Sequence, residues 1–143
     1  MSSPASETSD IQSLIPQRPP ILMVDSYGYE DELNCHSSKA IPTGNMFLDE
    51  TGRISAEGIL EHIAQTAAAH IGYLRKQAGE KVNLGYIGDI KRCTVTGNMP
   101  KAGETLHTRM TVTSQVGSIT LVSAETSASS GPILNCRMKL AND

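Results

Sequence analysis

Between Gly58 and Leu74 the chain reads GILEHIAQTAAAHIGYL, a run of apolar and small residues with Glu61, His62, Gln65 and His70 set inside it. Carboxyl and imidazole groups are the usual movers of protons in catalysis. Asp and Glu are almost never fully buried unless paired, so a carboxyl held in a cleft is a functional-site candidate on physical grounds. Gln65 follows Glu61 by one helical turn on the same face, where its amide can orient the carboxylate. His62 is adjacent to Glu61 and so points about 100° away around a helix. It reaches a neighbouring face rather than Glu61's own pocket, and His70 lies more than two turns further along. A plainer reading stands beside each: a structural carboxylate met by backbone or by Arg18, and hydrogen-bonded imidazoles of core or surface. His36 sits on a predicted strand with its facing open, and alternation turns His107 to solvent.

These side chains need a helix to hold them, and the flanks supply its signals. Ser55 is the predicted N-cap, Glu57 belongs to the first turn, Arg75 and Lys76 to the last, and Gly79 is the stop, so the helix runs to about Gln77. Before it, Ile21–Tyr29 follows two prolines that enforce extended backbone, and with Leu33–Ile41 it predicts a hairpin. Pro42–Arg53 is rich in turn formers and predicts a loop. After the helix come strand patterns. VNLGYIGDIKRCTV is one. In ETLHTRMTVTSQV, Leu106, Met110 and Val112 face one way and His107, Arg109, Thr111 and Thr113 the other. SITLVSAETSAS is the next, and ILNCRMKL places Leu134, Cys136, Met138 and Leu140 inward. A helix apolar nearly all round must be covered on most sides. A curved sheet wrapped round it, completed by a partner subunit, meets that demand; the class is α+β.

The totals agree. A chain of 143 residues predicts one domain, residues 11–143, after a disordered tail over 1–10. With no Trp and one Phe, the core must be built from Ile, Leu, Val, Met and Ala. A net charge of −3 is not the basic footprint of a nucleic-acid binder. Cys35, Cys93 and Cys136 are far apart in the chain, odd in number and without a C-x-x-C pair, which predicts reduced thiols, a cytoplasmic setting and no metal site. There is no signal-peptide pattern and no apolar run of spanning length.

Four segments together resemble a known family. LIPQRPPILMVD resembles the Pro-His-Arg-x-Pro-x-Leu-x-Val-Asp opening of the β-hydroxyacyl-acyl-carrier-protein dehydratases, with Pro16, Arg18, Pro20, Leu22, Val24 and Asp25 matching and Gln17 in place of His. ILEHIAQTAA is similar to the family's helix segment, Glu61 and Gln65 matching its polar pair; LGYIGDIKR and MPKAGETL resemble its third-strand start and a later turn. The helix segment is most similar to a divergent branch tied to aryl-polyene and flexirubin-type pigments. The resemblance implies a hotdog fold, a long central helix wrapped by a curved antiparallel sheet and paired into dimers. It implies a 3-hydroxyacyl thioester dehydratase (a lyase without cofactor) whose substrate rides on acyl carrier protein or coenzyme A.

In that family a loop His before the helix faces a helix carboxylate of the other subunit. Here the loop reads GNMFLDETG, and aligning Phe47 with the motif's Phe puts Met46 at the His position. The expected site is therefore Glu61 and, less directly, His62 as catalytic residues, with Met46, Phe47, Gly58 and Gln65 binding substrate. Lys91, Arg92, Arg75, Lys76 and Lys101 are candidates for docking an acidic carrier, each also readable as an ordinary solvated charge. Two rival functions remain: a catalytically silent acyl-carrier-binding subunit of a heteromeric dehydratase, and a hotdog acyl thioesterase that uses the helix carboxylate alone.

Overall fold

The structure is a computed structural model and describes residues 6–8, 10–81 and 86–142. Its one long helix, α1 (Ala56–Gln77), forms where the capping residues place it. Ser55 is extended and its side chain accepts from the Gly58 N–H, and Gly79, at φ +74°, turns the chain out of the last turn.

The strands are β1 (Ser6–Thr8), β2 (Ser26–Tyr29), β3 (Asn34–Ala40), β4 (Tyr86–Val95), β5 (Thr105–Val116), β6 (Ile119–Ala128) and β7 (Gly131–Asn142). They form one antiparallel sheet in the order β1-β2-β3-β5-β6-β7-β4. The chain thus leaves β3 near one edge, crosses the sheet as α1, and returns as β4 at the other edge. On the way α1 packs against β2, β3, β5, β6 and β7. This is the hotdog arrangement.

Alternation along the strands builds the core as the pattern predicts. Leu106, Met110 and Val112 of β5 and Leu134, Cys136, Met138 and Leu140 of β7 are buried against Ile59, Ile63 and Ala67 of α1. Small residues at Ala67, Ala68, Ala69 and Gly72 let helix and sheet approach closely.

Two local features differ from expectation, and a third could not be read from the chain. Ile21–Asp25 is not strand: the N–H of Met23 and the carbonyl of Ile21 bond to the Gln65 side chain, so that backbone is spent on the helix rather than on a ladder. Within the expected tail, residues 6–8 pair with β2, Ser6 opposite Tyr29, because β2 otherwise leaves an open edge. Cys93 and Cys136, remote in sequence, stand directly opposite across β4 and β7, both as free thiols. Burial, with Cys93 beside it, pushes the Cys136 thiol up to about 11. The beginning of the strand expected after the helix, residues 82–85, lies outside the described residues.

β4 is the second edge of the sheet. Residues 88–98 are all exposed, the apolar Ile90 and Val95 among them. Between this edge and the flank of α1 that carries Glu61 there is open space, and the site lies there.

Candidate functional site

A pocket of about 350 Å³ opens between α1 and the β7–β4 edge. Its helix wall is Glu57, Leu60, Glu61, Ala64, Gln65 and Ala68. Its sheet wall is Gly88, Ile90, Met138 and Leu140, and Pro16 and Gln17 close one end. The spacing of Glu57, Leu60, Glu61, Ala64, Gln65 and Ala68 is a single helical stripe. Apolar side chains thus make most of a slot whose helix wall carries two carboxylates, Glu57 exposed at its mouth and Glu61 half-buried.

The hydrogen bonds of Gln65 fix that carboxylate. The Met23 N–H can only donate, so the Gln65 amide oxygen faces it, at 2.6 Å. The Ile21 carbonyl can only accept, so the Gln65 NH2 faces that way, at 2.9 Å. The remaining N–H donates to Glu61 Oε2 at 2.6 Å. Gln65 is therefore fully committed, and it pins Ile21–Met23 to the helix while orienting Glu61. The second carboxylate oxygen, Oε1, has no hydrogen-bond partner among the described residues. One oxygen is held and the other is left to the pocket, a geometry suited to taking or giving a proton.

Arg18 and Asp25 do not touch Glu61. The Arg18 guanidinium donates to the carbonyls of Gln12, Ile15 and Gln17, closing the turn at Ile11–Ser13 onto the segment that follows. Asp25 accepts from the Ala40 N–H and from Lys39 Nζ, tying that segment to β3. The opening motif is thus a brace that sets Gln17, Ile21 and Met23 beside α1.

His62 points the other way. It is fully buried, with Nδ1 2.6 Å from the Met23 carbonyl and Nε2 2.9 Å from Thr108 Oγ1. A carbonyl only accepts, so Nδ1 carries the proton and Nε2 accepts from Thr108, which in turn accepts from Thr126 at 2.6 Å. Burial lowers the His62 pKa from 6.5 to about 4, against an opposing hydrogen bond to Met23. His62 is neutral, saturated and outside the pocket, so this chain does not bring it together with Glu61. His70 is similarly committed, to the Tyr27 hydroxyl and the Glu32 carbonyl, and burial lowers its pKa. His36 pairs with Glu30 and lies over Gly28 on the outer sheet face, and His107 is exposed on the same face.

The loop residues expected to bind substrate are not in the pocket of this chain. Met46 is 52% exposed. Phe47 packs on the first turn of α1, where Gly58 makes room: a Cβ there would sit 2.5 Å from the Phe47 Cβ. The Ser55 N–H donates to the Phe47 carbonyl and completes this contact. Gly58 therefore serves loop–helix packing, and of the four predicted binding residues only Gln65 lines the slot.

Sequence reasoning missed Gln17, Ile90, Met138 and Leu140. The alternation of β7 put Met138 and Leu140 on the inward face but could not distinguish core from slot. Gln17 carried a signal, since it replaces the His of the opening motif.

With this geometry established, comparison places the chain among known proteins. No curated protein matches it. Among solved structures it is similar to the dehydratase heterocomplex ApeI:P from Xenorhabdus doucetiae, at 15% identity over 93% of this chain and 90% of that one, TM-score 0.81. It is also similar to Cj0977, a sigma28-regulated virulence protein from Campylobacter jejuni, at 14% identity over 94% and 89% of the two chains, TM-score 0.68. A hypothetical thioesterase with coenzyme A from Streptococcus pneumoniae TIGR4 aligns at 10% identity over 92% and 90%, TM-score 0.57. At such identities the likeness shows the shared fold. The family model described as ApeP dehydratase matches residues 9–142, nearly the whole chain, and the chain belongs to the ApeP-like dehydratase family.

Proposed function

We propose that the chain binds 3-hydroxyacyl thioesters in the Glu61 slot and acts as a dehydratase-type subunit. Dehydration removes a proton from C2 and expels the C3 hydroxyl, which leaves as water after gaining a proton. Glu61 is the group that handles one of these protons. The observation that carries the reading is the slot itself: apolar walls for an acyl chain, and one carboxylate held by Gln65 with its second oxygen unpartnered.

The same slot favours a heteromeric form of this reading. No imidazole lines it among the described residues, and the loop position where the dehydratases carry His is Met46. A second hotdog chain, docking along the exposed β4 edge and the open flank of α1, would supply the missing imidazole. The likeness to a dehydratase heterocomplex supports this form over a self-sufficient homodimer.

The test is a dehydration assay on 3-hydroxyacyl-pantetheine and 3-hydroxyacyl-carrier thioesters, followed by enoyl absorbance. It is run with the chain alone and with a hotdog dehydratase whose own helix carboxylate has been removed. Enoyl formation in the mixture that disappears with Glu61→Gln is the expected result. Free thiol released in place of enoyl would establish a thioesterase and overturn the dehydratase reading. Full activity of the chain alone would overturn the heteromeric form.

A further inference from the structure

We infer that Gln17 is a positioning residue that recognises the 3-hydroxyl group of the substrate through its side-chain oxygen. The inference rests on the slot reading proposed above and adds to it what distinguishes substrate from product.

The observation is an orphan atom. Gln17 Oε1 is shut off from solvent and has no hydrogen-bond partner, and it is the one such side-chain atom among the described residues. The interior is otherwise thoroughly paired: Ser37 with Thr66, His62 with Met23 and Thr108, Thr108 with Thr126, His70 with Tyr27 and Glu32. Buried polar atoms are nearly always bonded, so a lone exception needs a physical account. Gln17 is also a wall of the slot that holds Glu61. Its backbone is fixed on both sides, by Arg18 bonding to the Gln17 carbonyl and by Gln65 bonding to Ile21 and Met23. The unpaired oxygen thus sits on a side chain at the end of the slot, closed off in the unliganded chain, and a donor reaches it when the Gln17 side chain turns toward the ligand while its backbone stays held.

An unpaired amide oxygen calls for a donor. The slot's other walls offer none: Leu60, Ala64, Ile90, Met138 and Leu140 suit hydrocarbon, the Glu57 and Glu61 carboxylates accept, and both Gln65 amide hydrogens are spent on Ile21 and Glu61. In the acyl part of a 3-hydroxyacyl thioester the only donor is the C3 hydroxyl. By accepting that hydrogen, Gln17 turns the hydroxyl oxygen's lone pairs outward, free to accept the proton with which it leaves. A 2-enoyl or saturated chain has no hydrogen to give and leaves Oε1 unpaired again. The same contact that orients the substrate releases the product.

The test is calorimetric titration of the full chain, alone and with the partner chain of the preceding experiment. The ligands are 3-hydroxyacyl-, 2-enoyl- and saturated acyl-pantetheine of matched length. Wild type should bind the 3-hydroxy ligand about tenfold tighter than the other two, the size of one buried hydrogen bond. The near-isosteric Gln17→Met should abolish this preference by weakening only the 3-hydroxy ligand. Its urea midpoint should be unchanged or higher, because an unsatisfied buried amide has been removed. Equal weakening of all three ligands would assign Gln17 to packing or to the pantetheine arm and overturn the inference, as would a preference that survives Gln17→Met. If wild type binds none of the three, the slot reading fails and the inference with it; if it binds all three equally, the inference alone fails.

Discussion

Glu61 and His62 are neighbours in the chain and opposites in their surroundings. His62 faces the sheet interior, where every polar atom near it has a partner and the chain Met23–His62–Thr108–Thr126 runs unbroken. Glu61 faces the slot, where one oxygen is held by Gln65 and the other is free, and where Gln17 carries an orphan oxygen. Both regions are polar, and both lie on one helix. What separates the two surroundings is spare hydrogen-bonding capacity. A saturated network specifies packing, and an unsaturated one has room for a ligand.

The sharpest break of this contrast is His62→Ala. It removes a buried ring and strands the Met23 carbonyl and the Thr108 hydroxyl, a cavity and two unpaired groups together. We expect a loss of about 4 kcal/mol, read by urea unfolding. Glu61→Gln, which keeps an oxygen to accept from Gln65, should change stability by less than about 1 kcal/mol. In the mixed dehydration assay it should cost at least about 100-fold. If the two variants lose stability equally, the distinction between the saturated and unsaturated regions is wrong.

The next largest effect is on pH dependence. His62 has its folded pKa lowered to about 4 from 6.5, chiefly by burial. Between those values the unfolded chain binds the proton and the folded chain does not, so stability rises with pH across the window. It is complete above about pH 6.5 and lost as pH falls toward about 4, amounting to some 3 kcal/mol from this one group. His70, lowered in the same direction, adds to the slope. Unfolding titrations at several pH values should show this rise in wild type and a flatter one in His62→Gln. An equally steep profile in the variant would move the titration to other groups.

The same contrast explains what could be read from the sequence. The helix was legible because its signals are local: Ser55, Glu57, Arg75, Lys76 and Gly79 each act within a turn of their position. The inward sets on β5 and β7 followed from period-2 alternation, and the Glu61–Gln65 pair from helical spacing. The site's remaining members depend on contacts far apart in the chain. Gln65 reaches back 42 residues to Met23, and His62 forward 46 to Thr108. Nothing within a window around His62 says that a threonine will meet its Nε2, so both a core imidazole and, less directly, a catalytic one stayed open. The sheet order, with β4 at the far edge, likewise decides that the slot opens beside Ile90, and no local pattern carries that.

The smallest predicted effect tests the direction of the hydrogen bonds inside the saturated region. Two hydroxyls approach His62 Nε2, Thr108 at 2.9 Å and Ser37 at 3.4 Å. Thr66 Oγ1 donates to the His62 carbonyl, so Ser37, 2.7 Å from that oxygen, donates its own hydrogen to Thr66. It then has none to give to Nε2, and Thr108 is the sole donor there. Thr108→Val should cost about 2 kcal/mol by leaving the ring nitrogen unpaired, whereas Ser37→Ala should cost about 1 kcal/mol or less, since Thr66 keeps its bond to the helix. The reverse order would mean that Ser37 holds His62, and with it that the imidazole has a looser partner and capacity to spare.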